Sequence, residues 1–206
     1  MSSTASTLAV PSADPRIARS EAAIREAVLA CLRTGRRFES LTVSEISDAA
    51  GVTRKTFYSR FGSLERVVFR IVAELSQQIV DDLDDEVLRL PRRAHSAASD
   101  VFRAYASHQD VLGPIVAQCP AGLVLESVTH VADHLLDRVV ALNGVTDLDA
   151  ARRDYLITVV ASMVHGVLSV WVRRGFTESP EALAALTDAL LAQGVERILL
   201  GTSALD

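Results

Sequence analysis

The chain has 206 residues, of which 49% are hydrophobic and 23% charged, enough for a small domain and a medium-sized one with a substantial core. Its two cysteines, Cys31 and Cys119, have no paired spacing, which argues against a disulfide-stabilised scaffold. The net charge of −5 is uneven: residues 1–70 carry eleven basic and seven acidic side chains, and the remainder carries ten and nineteen. This asymmetry suits a protein that binds a polyanion through its N-terminal part.

The N-terminus predicts a short unstructured segment followed by a helix. Residues 1–13 are rich in Ser, Thr and Ala and carry no charge, so we expect a disordered lead-in and no signal peptide. Asp14 can cap a helix that has Pro15 in its first position. The apolar pattern continues to about Thr34, and Gly35 ends it.

Residues 42–61 have the pattern of a complete helix-turn-helix. Thr42 and Glu45 are spaced as a capping box, which starts a first helix. Gly51 stands where the chain must leave helical geometry through a left-handed residue. Thr53 can cap a second helix, in which Phe57 and Phe61 share the inward face.

The second helix leaves basic and hydroxyl side chains on its outer face. Such a helix can enter the major groove, where Arg and Lys reach base edges and hydroxyl groups bind phosphates. The alternative is an ordinary amphipathic hairpin with a solvated basic face. The predicted DNA-binding residues are Thr42, Thr53, Arg54, Lys55, Thr56, Tyr58, Ser59 and Arg60.

Roughly residues 19–72 resemble the DNA-binding domain of TetR-family transcriptional regulators. The resemblance rests on the LTV, AAGV and TFY motifs at residues 41–43, 49–52 and 56–58, followed by Phe61. It implies that Thr42 and Tyr58 contact phosphates, that Thr56 is a further contact, and that residues 54–55 reach bases. The motif does not indicate which ligand the protein binds.

One position departs from the family pattern. The family usually carries Lys at the start of the fourth helix, where this chain has Leu64 after Ser63. A phosphate contact is therefore expected to be missing, which affects DNA affinity and not the fold. The side chains that could compensate are Arg36, Arg37, Arg60 and Arg66.

The rest of the chain shows helical periodicity and no strand pattern. An apolar stripe from Leu64 to Leu90 predicts one long helix, roughly 40 Å in length, that ends at Pro91. Further helices are predicted near residues 94–107, 109–118, 121–142, 148–174 and 180–200. The predicted fold is all-α with about nine helices: a three-helix headpiece at residues 14–62 and a larger ligand-binding and dimerisation domain at residues 63–206.

Residues 155–172 contain no charged side chain, which would permit a membrane span. The polar residues inside this segment and the amphipathic character of the other helices favour a buried helix between the core and a dimer partner. Small residues would let a second helix approach closely, as in TetR-like dimers. The predicted dimer-interface residues are Ser162, Gly166 and Ser169.

Candidate pocket residues are mostly apolar with a few hydrogen-bonding groups, which suits a medium-sized hydrophobic effector, although each could be plain core. His130 and His134 share a helix face, but no third metal ligand is evident, so no metal site is predicted. The acidic run at residues 81–86 is interpreted as a solvated face paired with Arg89. The candidate pocket residues are Phe102, Tyr105, His108, Cys119, Leu123, His165 and Trp171.

The resemblance to TetR-family regulators, together with these patterns, implies a cytoplasmic, homodimeric repressor that binds a palindromic double-stranded DNA operator and responds to a small molecule. No nucleophile motif, phosphate-binding loop or carboxylate pair is present, so neither catalysis nor a cofactor is expected. The alternative is a dimeric small-molecule-binding or adaptor protein with weak DNA affinity.

Overall fold

The regular structure in the computed structural model, which describes residues 14–90 and 97–192, is helical throughout. Nine helices of seven or more residues and one single-turn helix confirm the all-α prediction for the described part of the chain. The predicted lead-in and the predicted helix beyond residue 192 lie outside it. The helices are α1 (Pro15–Arg33), α2 (Val43–Ala49), α3 (Arg54–Arg60), α4 (Leu64–Asp81), α5 (Asp85–Leu88), α6 (Ala97–Ser107), α7 (Gln109–Gln118), α8 (Ala121–Asn143), α9 (Ala150–Arg173) and α10 (Pro180–Thr187).

Helices α1, α2 and α3 form the N-terminal headpiece around a shared apolar core. Each begins at a side-chain cap: Asp14, Thr42 or Thr53. Ile46 and Phe57 are fully buried against the inward face of α1. The core residues of α1 are Ile24, Ala27, Val28, Leu29 and Leu32.

The prediction of one helix from Leu64 to Leu90 is wrong. Helix α4 ends at Asp81, and a new turn, α5, begins after Asp84, whose carboxylate accepts a hydrogen bond from the Glu86 amide at 2.9 Å. The apolar spacing continues through the break because Leu83 and Leu88 are both buried. At 18 residues α4 spans roughly 27 Å and not roughly 40 Å.

Helix α4 connects the headpiece to the larger domain. Arg70 on α4 lies 4.9 Å from the centre of the Phe61 ring and hydrogen-bonds Glu21 of α1 at 3.1 and 3.2 Å. The apolar core of the headpiece also includes Val67 and Val68 of α4. These contacts bind the headpiece to the first half of α4, so a movement of α4 carries the headpiece with it.

The larger domain packs helices around α8 and α9. Helix α8 lies along α4, α9 lies against α8 and α7, and α10 lies against α6. Within the described residues, α9 is the one helix long and apolar enough to cross a membrane by length and composition. It packs against α8 and α7, and 22% of its most apolar window is buried inside the single chain.

Candidate nucleic-acid interface and ligand cavity

The start of α2 is fixed by one half of the predicted capping box. The Thr42 hydroxyl accepts a hydrogen bond from the Glu45 amide at 3.3 Å. The Glu45 carboxylate does not return to Thr42 but pairs with the guanidinium of Arg36, whose hydrogen bond holds the pKa of Glu45 below its usual value. Arg36 therefore ties the loop before α2 to this helix and is not available as a free phosphate contact.

The turn between α2 and α3 depends on Gly51. This residue adopts φ +64°, in the left-handed region that favours glycine, and its amide donates to the Asp48 carbonyl at 3.1 Å. The Val52 amide donates to the Ser47 carbonyl at 3.0 Å. These paired bonds are the helix C-terminal motif that the sequence predicts, and they set the angle at which α3 leaves α2.

Helix α3 buries Phe57 and exposes the basic residues of its first turn. Phe57 is fully buried, whereas Arg54, Lys55 and Ser59 are exposed and Tyr58 is 55% exposed. Within the described part of the chain, no carboxylate pairs with Arg54 or Lys55. The outer face therefore offers two uncompensated cations beside two hydroxyl groups, a combination that suits DNA bases and phosphates.

The other residues expected to contact DNA are engaged within the chain or partly buried. The Thr53 hydroxyl accepts a hydrogen bond from the Thr56 amide at 3.1 Å and lies 3.0 Å from the Thr56 hydroxyl. The Nε atom of Arg60 is buried and, among described residues, has no hydrogen-bond partner. Arg66 lies over the Phe69 ring at 4.9 Å.

Leu64 occupies the first position of α4 with a buried side chain. Ser63 caps this helix by accepting a hydrogen bond from the Arg66 amide at 3.3 Å. The Leu64 side chain belongs to the headpiece core. The residue that replaces the lysine of the family therefore supports packing between α4 and the headpiece.

An apolar cavity of about 180 Å³ lies in the larger domain. Its walls come from α5, α6, α8, α9, and the C-terminal parts of α4 and α10. Nearly all the lining side chains are aliphatic, so the cavity suits a small, largely apolar molecule. The described residues that line it include Val80, Leu88, Val101, Val131, Leu136, Ile157, Ala161 and Val164.

Of the candidate pocket residues, Phe102 and Tyr105 line this cavity. The Trp171 ring packs edge-on against Phe102 outside the lining, and its indole N–H donates to the Glu178 carbonyl at 3.0 Å. The others also lie outside the lining. Leu123 and Cys119 pack in or against the headpiece-side core, His108 precedes α7, and His165 lies half-buried on α9 near Ser169.

The Cys119 thiol belongs to the core and is not a reactive group. Burial raises its pKa to about 12, so the thiol stays protonated. His134 pairs with Asp81 at 3.1 Å, and His130 lies beside the Phe69 ring. No group of three or more potential metal ligands occurs among the described residues.

One face of α9 remains exposed although it is largely uncharged. Tyr155 is 74% exposed and Val159 is 50% exposed. The predicted interface residues Ser162 and Gly166 are exposed on the same face, and Ser169 is half-buried. A Cβ atom added at Gly166 would meet nothing within 4 Å. This face therefore has open space in the single chain.

Comparisons of sequence agree with the helix-turn-helix geometry. Residues 36–71 match the profile of a family described as bacterial regulatory proteins, tetR family. The chain is 30% identical over 126 residues to the HTH-type transcriptional regulator AlkX of Mycobacterium tuberculosis. That match covers 60% of this chain and 59% of the relative. The curated relative is itself a regulator, which agrees with the expectation that the chain is not an enzyme.

Solved structures show the same fold at low sequence identity. A TetR family repressor AlkX from Dietzia sp., implicated in biodegradation of n-alkanes, is 21% identical with a TM-score of 0.50, covering 87% of this chain and 97% of that one. The dihydroxyacetone kinase operon activator DhaS is 16% identical with a TM-score of 0.54, over 87% and 97% of the two chains. A tetR-family regulator from Streptomyces coelicolor is 17% identical with a TM-score of 0.50, over 89% and 92%.

Proposed function

We propose that this chain is a homodimeric, ligand-responsive transcriptional repressor of the TetR family, since its residues 36–71 match that family's profile. Proteins of this family bind DNA operators and typically dimerise. The observation that carries the proposal is the outer face of α3, where Arg54 and Lys55 are exposed with no carboxylate partner among the described residues.

The proposed DNA contacts are of two kinds, donors to base edges and groups that bind phosphates. Arg54 and Lys55, near the start of α3, are placed to donate to base edges in the major groove. Tyr58 and Ser59 follow on the exposed face and offer hydroxyl groups to phosphates. Thr42, Thr53 and Thr56 belong to the helix starts, where backbone amides can also bind phosphates. Arg60 is the least available residue of the set, since its Nε atom is buried.

The exposed face of α9 is the proposed dimer interface. Two exposed apolar side chains and the open site at Gly166 let a symmetry-related helix approach closely. Leu186 of α10 and Leu190, which follows that helix, are also exposed and would extend the interface. Dimerisation would place two copies of α3 about one helical turn apart, roughly 34–36 Å, which is the spacing that a palindromic operator requires.

The cavity is the proposed effector site. It is bounded by the C-terminal part of α4, whose N-terminal part is bound to the headpiece. A ligand that repositions this end of α4 would change the separation of the two α3 helices. The dimer would then bind both half-sites of the operator less tightly. A small hydrocarbon-like molecule suits the walls, and a structural neighbour is described as implicated in n-alkane biodegradation. The site of action would be the cytoplasm, at the nucleoid when DNA is bound.

Binding to the DNA upstream of the protein's own gene tests the proposal. Fluorescence anisotropy at several salt concentrations should show specific binding that falls steeply with salt. Replacing both Arg54 and Lys55 by Ala should abolish the specific complex. Arg103→Ala removes an exposed cation that pairs with Asp100 and Glu181, and serves as the control.

The alternative is an adaptor protein with weak DNA affinity, which the buried Leu64 favours because it removes a phosphate contact. Binding that is weak and equal for specific and scrambled DNA would support this alternative and contradict the repressor.

A further inference from the structure

The buried apolar side chains of the described residues form three separate clusters. The headpiece-side core extends from α1–α4 into α7, α8 and α9. The second cluster, the α6–α10 core, consists of Ile79, Phe102, Tyr105, Leu112, Leu168, Trp171, Leu183 and Ala184. The third, the α8–α9 core, consists of Leu136, Leu156 and Ile157. A domain ordinarily has one contiguous core, so this separation calls for a physical explanation.

The cavity lies where the three clusters meet. Its lining includes Val128 of the headpiece-side core, Phe102 of the α6–α10 core and Leu136 of the α8–α9 core. Half-buried Val164 and Ala132 also line it. Val164 packs against the first and second clusters, and Ala132 packs against the first and third. A molecule that filled the cavity would therefore contact all three clusters.

The volume of the cavity sets the size of that molecule. Protein interiors contain few voids larger than a water molecule, because the lining atoms of an empty space lose packing contacts. A dry apolar cavity of about 150 Å³ accepts benzene, so one of about 180 Å³ accommodates on the order of six to nine non-hydrogen atoms. This volume suits one compact molecule and not a long chain.

The side chains of the cavity wall favour a neutral ligand. The described lining contains no Lys, Arg or His, and its one carboxylate, Asp188, already interacts with another group of the protein. A charged ligand would lose its hydration without gaining an ionic partner. The hydroxyl groups of the lining offer no substitute. Tyr105 is bonded to Ser76 at 3.2 Å, and the Thr187 oxygen is buried out of reach of a ligand.

We propose that the cavity takes one compact, neutral, apolar molecule, and that this ligand joins the three clusters into a single core. The inference rests on the proposed effector site. It adds a second connection to the headpiece besides α4, because a ligand against Val128 contacts the same cluster that holds α1, α2 and α3 together. Binding then depends on shape and on burial of apolar surface, with no polar anchor.

Calorimetric titration and thermal unfolding of the full-length protein test the class of ligand. The probes are toluene and cyclohexane, with benzoate and benzylamine as charged analogues of similar size. Toluene at about ten times its Kd should raise the melting temperature by roughly 3–6 °C. Benzoate and benzylamine should bind at least tenfold more weakly than toluene, because each would lose its hydration in the cavity.

Hydrogen exchange tests whether the ligand joins the clusters. Toluene should slow amide exchange in α7 of the headpiece-side core, in α6 of the α6–α10 core and in the first half of α9, which carries Leu156 and Ile157. Slower exchange confined to the helices of one cluster would overturn the bridging role.

Filling the cavity from two different walls tests its position. Ala132→Leu on α8 and Ala98→Leu on α6 each add three carbon atoms at a lining position. Each should weaken toluene binding at least tenfold and leave the melting temperature of the ligand-free protein unchanged or higher, because the new side chain replaces missing contacts. The control is Ala104→Leu, at a half-buried alanine of α6 outside the lining, which should keep the wild-type affinity for toluene.

Other results would also overturn the inference. Absence of binding by both toluene and cyclohexane would remove the ligand class, and tighter binding of benzoate or benzylamine than of toluene would overturn the neutral character. Unchanged toluene affinity in both cavity-filling variants would place the site elsewhere. A clearly lower melting temperature of both ligand-free variants would show that these positions face no empty space. These assays contain no DNA, so their outcome is separate from that of the operator-binding test.

Discussion

The Arg138 guanidinium on α8 donates to the Val80 carbonyl near the end of α4 at 2.6 Å. The same side chain donates to the Leu83 carbonyl at 2.6 Å and pairs with Asp85 at 2.6 Å. Carbonyl groups at the end of a helix have no intrahelical partner, and a cation there is favourable. Arg138 therefore fixes the break between α4 and α5 beside the cavity, since Val80 also lines it.

Removing this contact should loosen the junction. We expect Arg138→Gln to lower the free energy of unfolding by about 2–3 kcal/mol, because hydrogen bonds to a charged donor are lost at a partly buried site. Urea denaturation measures the change. The control is Arg152→Gln, whose exposed pair with Asp149 should contribute less than about 1 kcal/mol. Equal effects of the two substitutions would mean that Arg138 does not secure the junction.

The break between α4 and α5 leaves no trace in the apolar periodicity of the sequence. The apolar stripe keeps its helical period through Leu83 and Leu88, so periodicity alone favours a continuous helix. The end of α4 depends on a tertiary contact. Arg138, more than fifty residues later in the chain, donates hydrogen bonds to the carbonyls of Val80 and Leu83. Helix starts were readable because their signals are local. Thr42, Thr53 and Ser179 each cap a helix within three residues of themselves.

The pair between Glu45 and Arg36 should make stability depend on pH. The hydrogen bond from Arg36 lowers the folded-state pKa of Glu45, so the pair stabilises the fold above the unfolded value of about 4.5. That contribution is lost as the pH falls through the lower folded value. Glu45→Gln should therefore reduce stability at pH 7, and the difference from the wild type should shrink in acid.

Urea denaturation between pH 7 and pH 3 measures this difference. Glu126→Gln provides the control, because Glu126 is exposed and has no ion-pair partner among the described residues. A stability difference for Glu45→Gln that stays constant over this range would show that the effect does not come from the carboxylate charge.

The exposed face of α9 should mediate dimerisation. Gly166→Arg would place a long cation where close approach of a second helix is expected, and its charge would be desolvated without a partner. We expect sedimentation equilibrium to show a folded monomer at concentrations where the wild type is a dimer. Gly122→Arg, at another exposed glycine with open space, is the matched control and should remain dimeric. A dimer unchanged by Gly166→Arg would place the interface elsewhere.

Leu64→Lys tests whether the start of α4 faces the DNA backbone. A lysine there would add one phosphate contact per subunit, so the slope of log K against log salt should steepen by about 1.8 for a dimer. The melting temperature should fall, because Leu64 is part of the core. Leu64→Met keeps the packing without a charge and should leave the slope unchanged. An unchanged slope for a folded, dimeric Leu64→Lys variant would mean that this helix start points away from the DNA.

The sequence predicted the candidate DNA surface better than the cavity. Caps, a turn glycine and a basic outer face coincide within residues 42–61, so one short segment contains nearly the whole pattern. The cavity is instead lined by aliphatic residues from six helices. In the sequence, an aliphatic residue of a cavity wall cannot be distinguished from any other core residue. Phe102 and Tyr105 fit the expectation of apolar residues with a few hydrogen-bonding groups, and both line the cavity. Trp171 fits the same expectation, yet it packs edge-on against Phe102 outside the cavity lining.

The central claim is that α3 reads bases through Arg54 and Lys55 and holds phosphates through Tyr58. The most direct measurement is the affinity of the wild type, Arg54→Ala, Lys55→Ala and Tyr58→Phe for the operator and for a set of its single-base-pair variants. Arg54→Ala and Lys55→Ala should each cost about 1–3 kcal/mol on the operator and flatten the preference at particular base pairs. Tyr58→Phe should weaken binding to every sequence by a similar factor, because a phosphate contact carries no sequence information. A Tyr58→Phe variant that prefers a different sequence, together with an Arg54→Ala variant whose preference is unchanged, would contradict the account.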